Sequence, residues 1–185
     1  FGTVLAAKCG IRVFCAAYRL APEHVFPAAV DDALEAYGYL IRLGYAPSRI
    51  MLCGESAGGG LCYSLCLQLK AKGRTMPAGV LAISPWVDLT LSGPSYEENQ
   101  ESDPSLSMEF LRHCVSCYGP EPADPMVSPV FADLRGMPPS LILAAENELL
   151  FDDSRKLQEM LKEYGCQSSL HVKPDRWHAY VLYGL

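Results

Sequence analysis

The sequence predicts an α/β protein built on a mostly parallel sheet with helices on both faces. Three observations carry that expectation. Short apolar runs of strand length recur at Ile11–Tyr18, Ile50–Cys53, Gly79–Ile83, Ser140–Ala145 and Ser168–Val172. Stretches with apolar residues at helical spacing separate most of them, the alternation that gives parallel sheets with right-handed crossovers. Apolar residues make up 50% of the chain and charged residues only 19%, a balance that suits a sheet covered on two sides.

Ile11 to Tyr18 reads as a strand buried on both faces. Arg19-Leu20-Ala21-Pro22-Glu23 breaks it, and Pro22 disfavours helix just before it. From Phe26 the apolar residues fall at Ala29, Val30, Ala33, Leu34, Tyr37, Leu40 and Ile41, a helical stripe with Asp31, Asp32 and Glu35 off it. Gly44 and Pro47 end that helix.

The stretch from Ile50 to Lys72 organises the rest. The apolar run Ile50–Cys53 leads into Gly54-Glu55-Ser56-Ala57-Gly58-Gly59-Gly60, and helix formers follow to Lys72. Strand, sharp glycine-bounded turn and helix are what a G-x-S-x-G nucleophile elbow requires. The turn holds Ser56 in a strained conformation with its hydroxyl projecting, so Gly54 and Gly58 are expected to have no room for side chains. The helix behind it aims its first N–H groups at the site, where an oxyanion can use them. A phosphate-cradling loop is the competing interpretation; it wants a lysine near the helix start, and the first is Lys70. Leu61, Tyr63, Leu65, Leu67 and Leu69 make this helix apolar nearly all round, hence buried.

Gly79–Ile83 is the next strand, stopped by Pro85. From Leu89 to Pro129 the pattern changes to a proline-rich insertion, with one helix from Ser107 to Tyr118 and Ser107 as its N-cap. A loop-rich substrate face belongs in such an insertion. Ser140–Ala145 is a further strand, Asp152–Gly165 a helix with Gly165 just past its end, and Ser168–Val172 the last strand. The 185 residues read as one domain, enough to bury about 70% of the unfolded surface.

Several function classes fall away. Net charge is −6 with no basic stripe, which argues against nucleic acid, and no apolar run approaches the ~20 residues of a membrane span. The chain begins at Phe1 and shows no signal peptide. The eight cysteines mostly sit inside apolar patterns and read as reduced thiols of a cytoplasmic protein. Cys114-x-x-Cys117 beside His113 is half a zinc or redox motif without its other half, so no metal is expected.

Sites in parallel sheets lie past the carboxyl ends of strands. Ser56 follows one strand end, Glu146 and Glu148 another, and His178 the last, beyond the loop Lys173–Trp177. A serine hydroxyl needs a base within reach, and the imidazole needs an anion on its far side. The order serine, acid, histidine is that of the α/β hydrolases. Asp152 and Asp153 start a helix, where capping is the ordinary role of aspartate.

The chain resembles the hormone-sensitive-lipase-like α/β hydrolases, which are carboxylesterases. Tyr18-Arg19-Leu20-Ala21-Pro22-Glu23-His24 with Phe26-Pro27-Ala28-Ala29 is similar to that family's segment before the elbow. Gly54-Glu55-Ser56-Ala57-Gly58-Gly59, Ser84-Pro85-Trp86-Val87-Asp88 and Asp124-Pro125-Met126-Val127-Ser128-Pro129 match three more of its blocks. The resemblance implies an α/β-hydrolase fold and hydrolysis of short- to medium-chain acyl esters through an acyl-enzyme. It also implies Ser56 as nucleophile, Glu148 as the acid, His178 as the base and the Ala57 N–H as one oxyanion donor, without cofactor or metal.

Three departures stand out. The family's His-Gly-Gly-Gly loop, first strands and cap are missing upstream, the closing helix is missing downstream, and Glu148 stands where most members have Asp. An incomplete hydrolase is therefore expected, whose parent supplies two oxyanion-hole glycines. These 185 residues alone are expected to be nearly inactive and aggregation-prone. The alternatives are an inactive paralogue and a non-catalytic small-molecule receptor; plant gibberellin receptors resemble this family but have lost the triad histidine. A dimer is compatible with the chain. Arg19 and Glu23 read as a structural ion pair or turn clamp, His24 as a solvated or turn histidine, His171 as structural, Trp86 as core, Glu55 as an anchor of neighbouring loops and Asp124 as a tie on the loop near the acid.

Overall fold

Four of the five predicted strands form, and they stand side by side in one parallel sheet. In the computed structural model, which describes residues 1–119 and 121–184, these are β1 (Met51–Glu55), β2 (Gly79–Ile83), β3 (Ser140–Ala145) and β4 (Ser168–Lys173), in the order β1-β2-β3-β4. The register places Leu52 opposite Val80 and Gly54 opposite Ala82, then Ala82 opposite Ile142 and Ile142 opposite Leu170.

The fifth, Ile11–Tyr18, is not a strand. Its residues lie outside the sheet and are exposed apart from the half-buried Tyr18. Apolar composition is not sufficient for a strand; the backbone also needs a neighbouring edge to pair with, and none of the four strands pairs with this segment. A helix that sequence periodicity did not reveal, α1 (Gly2–Cys9), precedes it and buries none of its residues. The next segment is tied down elsewhere. Arg19 grips Asp32 rather than the expected Glu23, with both Nε and Nη2 on the carboxylate and the Arg19 N–H donating to Oδ2 at 2.8 Å. His24 is exposed, as expected of a turn histidine.

The alternation of a strand decides which side chains meet helices. On one face Val80, Ala82 and Ile142 pack against Cys62, Tyr63 and Cys66 of α3 (Ala57–Ala71) and against Leu157 and Leu161 of α6 (Phe151–Glu163). Leu157 and Leu161 are fully buried, each worth roughly 1.5–3 kcal/mol of transfer free energy. Helix α2 (Ala28–Arg42) presents Tyr37, Leu34 and Ile41 to Leu65 and Leu69 of α3, on the same side. The opposite face carries Met51, Cys53 and Leu141, all exposed, with Met51 at 64%. Helices on both faces were expected; among the described residues they cover one.

The insertion between β2 and β3 holds α4 (Ser95–Glu98) and α5 (Met108–Tyr118). Ser107 caps α5 as predicted, its Oγ accepting the Phe110 N–H at 3.2 Å. Leu111 of α5 packs with Trp86, Leu89, Tyr96, Leu149 and Leu150 in a second core beyond the carboxyl ends of the strands. Trp86 is thus a core residue, as expected.

Candidate active site

Ser56 sits between β1 and α3 with φ 54° and ψ −122°, a conformation that costs a non-glycine residue about 1–3 kcal/mol. The surroundings hold it there. Its N–H donates to Ile83 O at 2.9 Å, and its carbonyl accepts from Trp86 N at 3.0 Å and Gly59 N at 2.9 Å. The residue is half-buried and follows the carboxyl end of β1. Ala57 opens α3, and the N–H groups of a first helical turn lack intrahelical acceptors.

The glycines divide differently from expectation. A Cβ on Gly54 would stand 2.1 Å from Gly58 O, so Gly54 is required. A Cβ on Gly58 meets nothing within 4 Å, which corrects its assignment as sterically obligatory. The tight positions are Gly59, 2.8 Å from Pro85 Cβ, and Gly60, 2.2 Å from Trp86 O. Those two let α3 press onto the loop after β2.

Glu148 and His178 meet. Glu148 is wholly buried past the end of β3; its Oε1 accepts the Ala145 N–H at 3.0 Å and its Oε2 lies 3.0 Å from His178 Nδ1. Glu146, the other carboxylate of that loop, is exposed and instead donates its N–H to Lys173 O. On its far edge His178 meets Glu55, whose Oε1 is 3.3 Å from Nε2. Burial works against the imidazolium, but its hydrogen bonds to the carboxylates of Glu148 and Glu55 outweigh it and raise its pKa to about 9. Among the described residues no hydrogen bond joins Ser56 Oγ to His178.

Neighbouring loops fix this pair. The Ala179 N–H donates to Ser84 Oγ at 3.1 Å, and Asn147 N–H donates to Arg176 O at 3.0 Å. Like Ser56, Ser84 and Ala179 have positive φ, so three strained residues gather at one end of the sheet. The insertion, expected as a substrate face, reaches into the acid loop. Asn99 Nδ2 donates to the carbonyls of Glu146 and Glu148, and Asp103 accepts the Leu149 N–H.

Asp152 and Asp153 do not cap their helix; Leu150 is the N-cap residue of α6. Each reaches outward. Asp152 accepts the Ser95 N–H, while buried Asp153 accepts the N–H groups of Val87 and Asp88 and the Tyr96 hydroxyl, each at 2.8 Å. Burial pushes the Asp153 carboxyl up to about 8 against those donors. Asp124 accepts the Met126 N–H within its own loop. Glu55 was expected as a loop anchor; its contact with His178 is the feature sequence reasoning missed, and its place beside Ser56 was the available signal. A groove of about 1100 Å³ runs between Leu91, Pro94, Tyr96, Met108 and Val115, apart from Ser56 and His178.

Residues 1–182 match a family described as alpha/beta hydrolase fold. An esterase of Acinetobacter venetianus is 35% identical over 98% of this chain and 61% of its own length. An acetyl-hydrolase of Streptomyces hygroscopicus is 36% identical over the same shares, 98% and 61%. Among solved structures, EstE5 from a crystal soaked with p-nitrophenyl butyrate has a TM-score of 0.87 at 38% identity, over 90% of this chain and 57% of that one. A hormone-sensitive lipase from a metagenome library has a TM-score of 0.88 at 41% identity, over 90% and 58%. The chain spans about three fifths of the length of these relatives.

Proposed function

Since the chain belongs to the alpha/beta hydrolase fold family, we propose that it carries the nucleophile, base and acid of a serine carboxylic-ester hydrolase acting on short- to medium-chain acyl esters. The observation that carries this proposal is the buried Glu148–His178 contact at 3.0 Å, at the same sheet edge from which Ser56 emerges. A buried carboxylate on Nδ1 leaves Nε2 as the imidazole's working nitrogen.

Ser56 Oγ attacks the ester carbonyl carbon while its proton passes to Nε2 of neutral His178. The carbonyl π electrons move onto oxygen, and the Ala57 N–H stabilises that charge, as a helix-terminal donor can. The tetrahedral intermediate collapses, the carbon–alkoxide bond breaks, and the imidazolium protonates the departing alcohol. Water then attacks the acyl-enzyme with His178 again as base, which releases the acid and restores Ser56. Glu148 orients the ring and stabilises its charged form. The esterase names of the relatives support the ester substrate class. No described helix is long and apolar enough to cross a membrane. A cytoplasmic setting rests on the cysteine content, and all eight thiols are free.

The test is hydrolysis of p-nitrophenyl acetate and butyrate by protein carrying this chain, with p-nitrophenyl palmitate for comparison. Turnover of the short esters abolished by Ser56→Ala supports the proposal. Binding of such esters without turnover would favour a receptor instead, although His178, the residue such receptors lack, is in place.

A further inference from the structure

The Nε2 atom of His178 is the one that must be free to take the Ser56 proton, yet in the structure it faces Glu55 Oε1 at 3.3 Å. Nδ1 faces Glu148 Oε2 at 3.0 Å, so the ring is bracketed by two carboxylates on opposite edges. Carboxylates only accept, and an imidazole can donate to both only when both nitrogens carry protons. The two acids are not equivalent. Glu148 is wholly buried and accepts a backbone N–H as well, whereas Glu55 is a third exposed and comes from the strand that delivers Ser56.

Resting on the proposed esterase role of this site, we propose that Glu55 is a positioning residue that holds the Nε2 edge of His178 and stabilises its doubly protonated resting form. Ser56 and Glu55 are adjacent in sequence and compete for one nitrogen, so the histidine becomes a base for Ser56 only when its Nε2 proton has left to solvent. Glu148 sets which way the ring faces; Glu55 sets the pH at which the far nitrogen becomes available.

The remaining surroundings agree with this division. Burial alone lowers the pKa of a histidine, and the ring is 6% exposed, yet contacts with Glu148 and Glu55 bring it to about 9. The half-buried Tyr18 phenol, raised by burial and then by Cys62 and Glu55, stays neutral through this range. The next backbone N–H, of Ala179, is taken by the uncharged Ser84 hydroxyl. Among the described residues no lysine or arginine is paired with Glu55 or Glu148 to cancel either carboxylate. The sign follows directly. His178 is charged and idle below its pKa and becomes a base as pH rises through it, so removing Glu55 moves that threshold to lower pH.

The deciding experiment needs no turnover: a pH titration by NMR of protein carrying this chain, with histidine labelled at Cε1, in wild type, Glu55→Gln and Glu55→Ala. The His178 resonance is expected to titrate near pH 9 in wild type and about one pH unit lower in both variants, as for loss of one opposite charge at contact distance. Thermal melts confirm that the folded state survives, and the two variants guard against one that does not. A wild-type midpoint near 6.5, or variants that titrate with the wild type, would overturn the proposal. Where ester turnover is measured, the acidic limb of kcat/KM should move down with the same variants. Absence of turnover would defeat the esterase role while the titration still decides what Glu55 does.

Discussion

Glu148 Oε2 lies 3.0 Å from His178 Nδ1, although the two residues are 30 apart in the chain. The contact exists because β3 and β4 are parallel neighbours, so the loops that leave them open at the same edge. Replacing Glu148 by Gln keeps the shape and removes the charge. In protein with ester turnover, Glu148→Gln should lower kcat by about 10³–10⁴, as removal of the acid does in other triads. A steady-state comparison with wild type checks this, and a near-normal kcat would reassign the acid.

Ser56→Ala should abolish both turnover and labelling by an organophosphonate without lowering the melting temperature. Ser84 and Ser128 provide the internal control. Both are fully buried and hydrogen-bonded, Ser84 to Ala179 N and Ser128 to Leu89 N. Mass spectrometry should therefore place the label on Ser56 alone, and a label on either of the others would overturn the nucleophile.

Asp153 offers a test of burial against hydrogen bonding. Its pKa of about 8 makes it a neutral acid near pH 7, and an asparagine can accept from the same two backbone N–H groups. Asp153→Asn should raise stability near pH 7, where the wild-type carboxyl must take up a proton to fold, whereas Asp153→Ala strands buried donors at about 1–3 kcal/mol each. A raised folded pKa contributes stability below the unfolded value, lost as pH rises through about 8. Urea melts at pH 6 and 9 should show wild type losing ground to the Asn variant at the higher pH.

The glycines around Ser56 should respond unequally. Gly60→Ala forces a Cβ to 2.2 Å from Trp86 O and should destabilise by several kcal/mol or prevent folding. Gly58→Ala has open space in a helix and should stabilise by about 0.5–1 kcal/mol. Melting temperatures of the two variants rank the positions, and an equal loss in both would contradict the packing described.

The Arg19–Asp32 pair should show itself in acid. Arg19, through its side chain and then its backbone N–H, holds the Asp32 carboxyl at about 2, against an ordinary 3.8. A lowered folded pKa gives stability that is present above the unfolded value and lost as pH falls through the folded one. The melting-temperature gap between wild type and Arg19→Ala should therefore be constant above pH 4 and close between pH 4 and 2.

Much of this architecture was legible in the residues. The runs Gly79–Ile83 and Ser140–Ala145 became strands at their predicted bounds, because a parallel strand must be apolar throughout. Ser107 announced its cap, and the Ser56 elbow announced its turn. What failed depended on partners distant in sequence. Ile11–Tyr18 had strand composition but pairs with none of the four strands, and Asp152 and Asp153 had cap positions but were drawn away by loop N–H groups. Arg19 chose Asp32 on a helix over nearby Glu23, and no spacing rule encodes that choice. Glu55 was visible as a residue, but its orientation depends on where β4 ends.

The strand order β1-β2-β3-β4 is also the order of synthesis, so each strand can dock on the one made just before it. One junction breaks that rhythm. The connection from Ile83 to Ser140 is more than twice as long as those on either side of it. Thermodynamically the extra length is cheap, since each doubling of a loop costs only about 0.6 kcal/mol. Kinetically it is not: at ~5–20 residues per second, a ribosome spends roughly 3–10 s on that stretch. Throughout this interval the nascent chain carries the outer edge of β2 before β3 exists to pair it, which is when the half-made sheet is most open to strands of other chains.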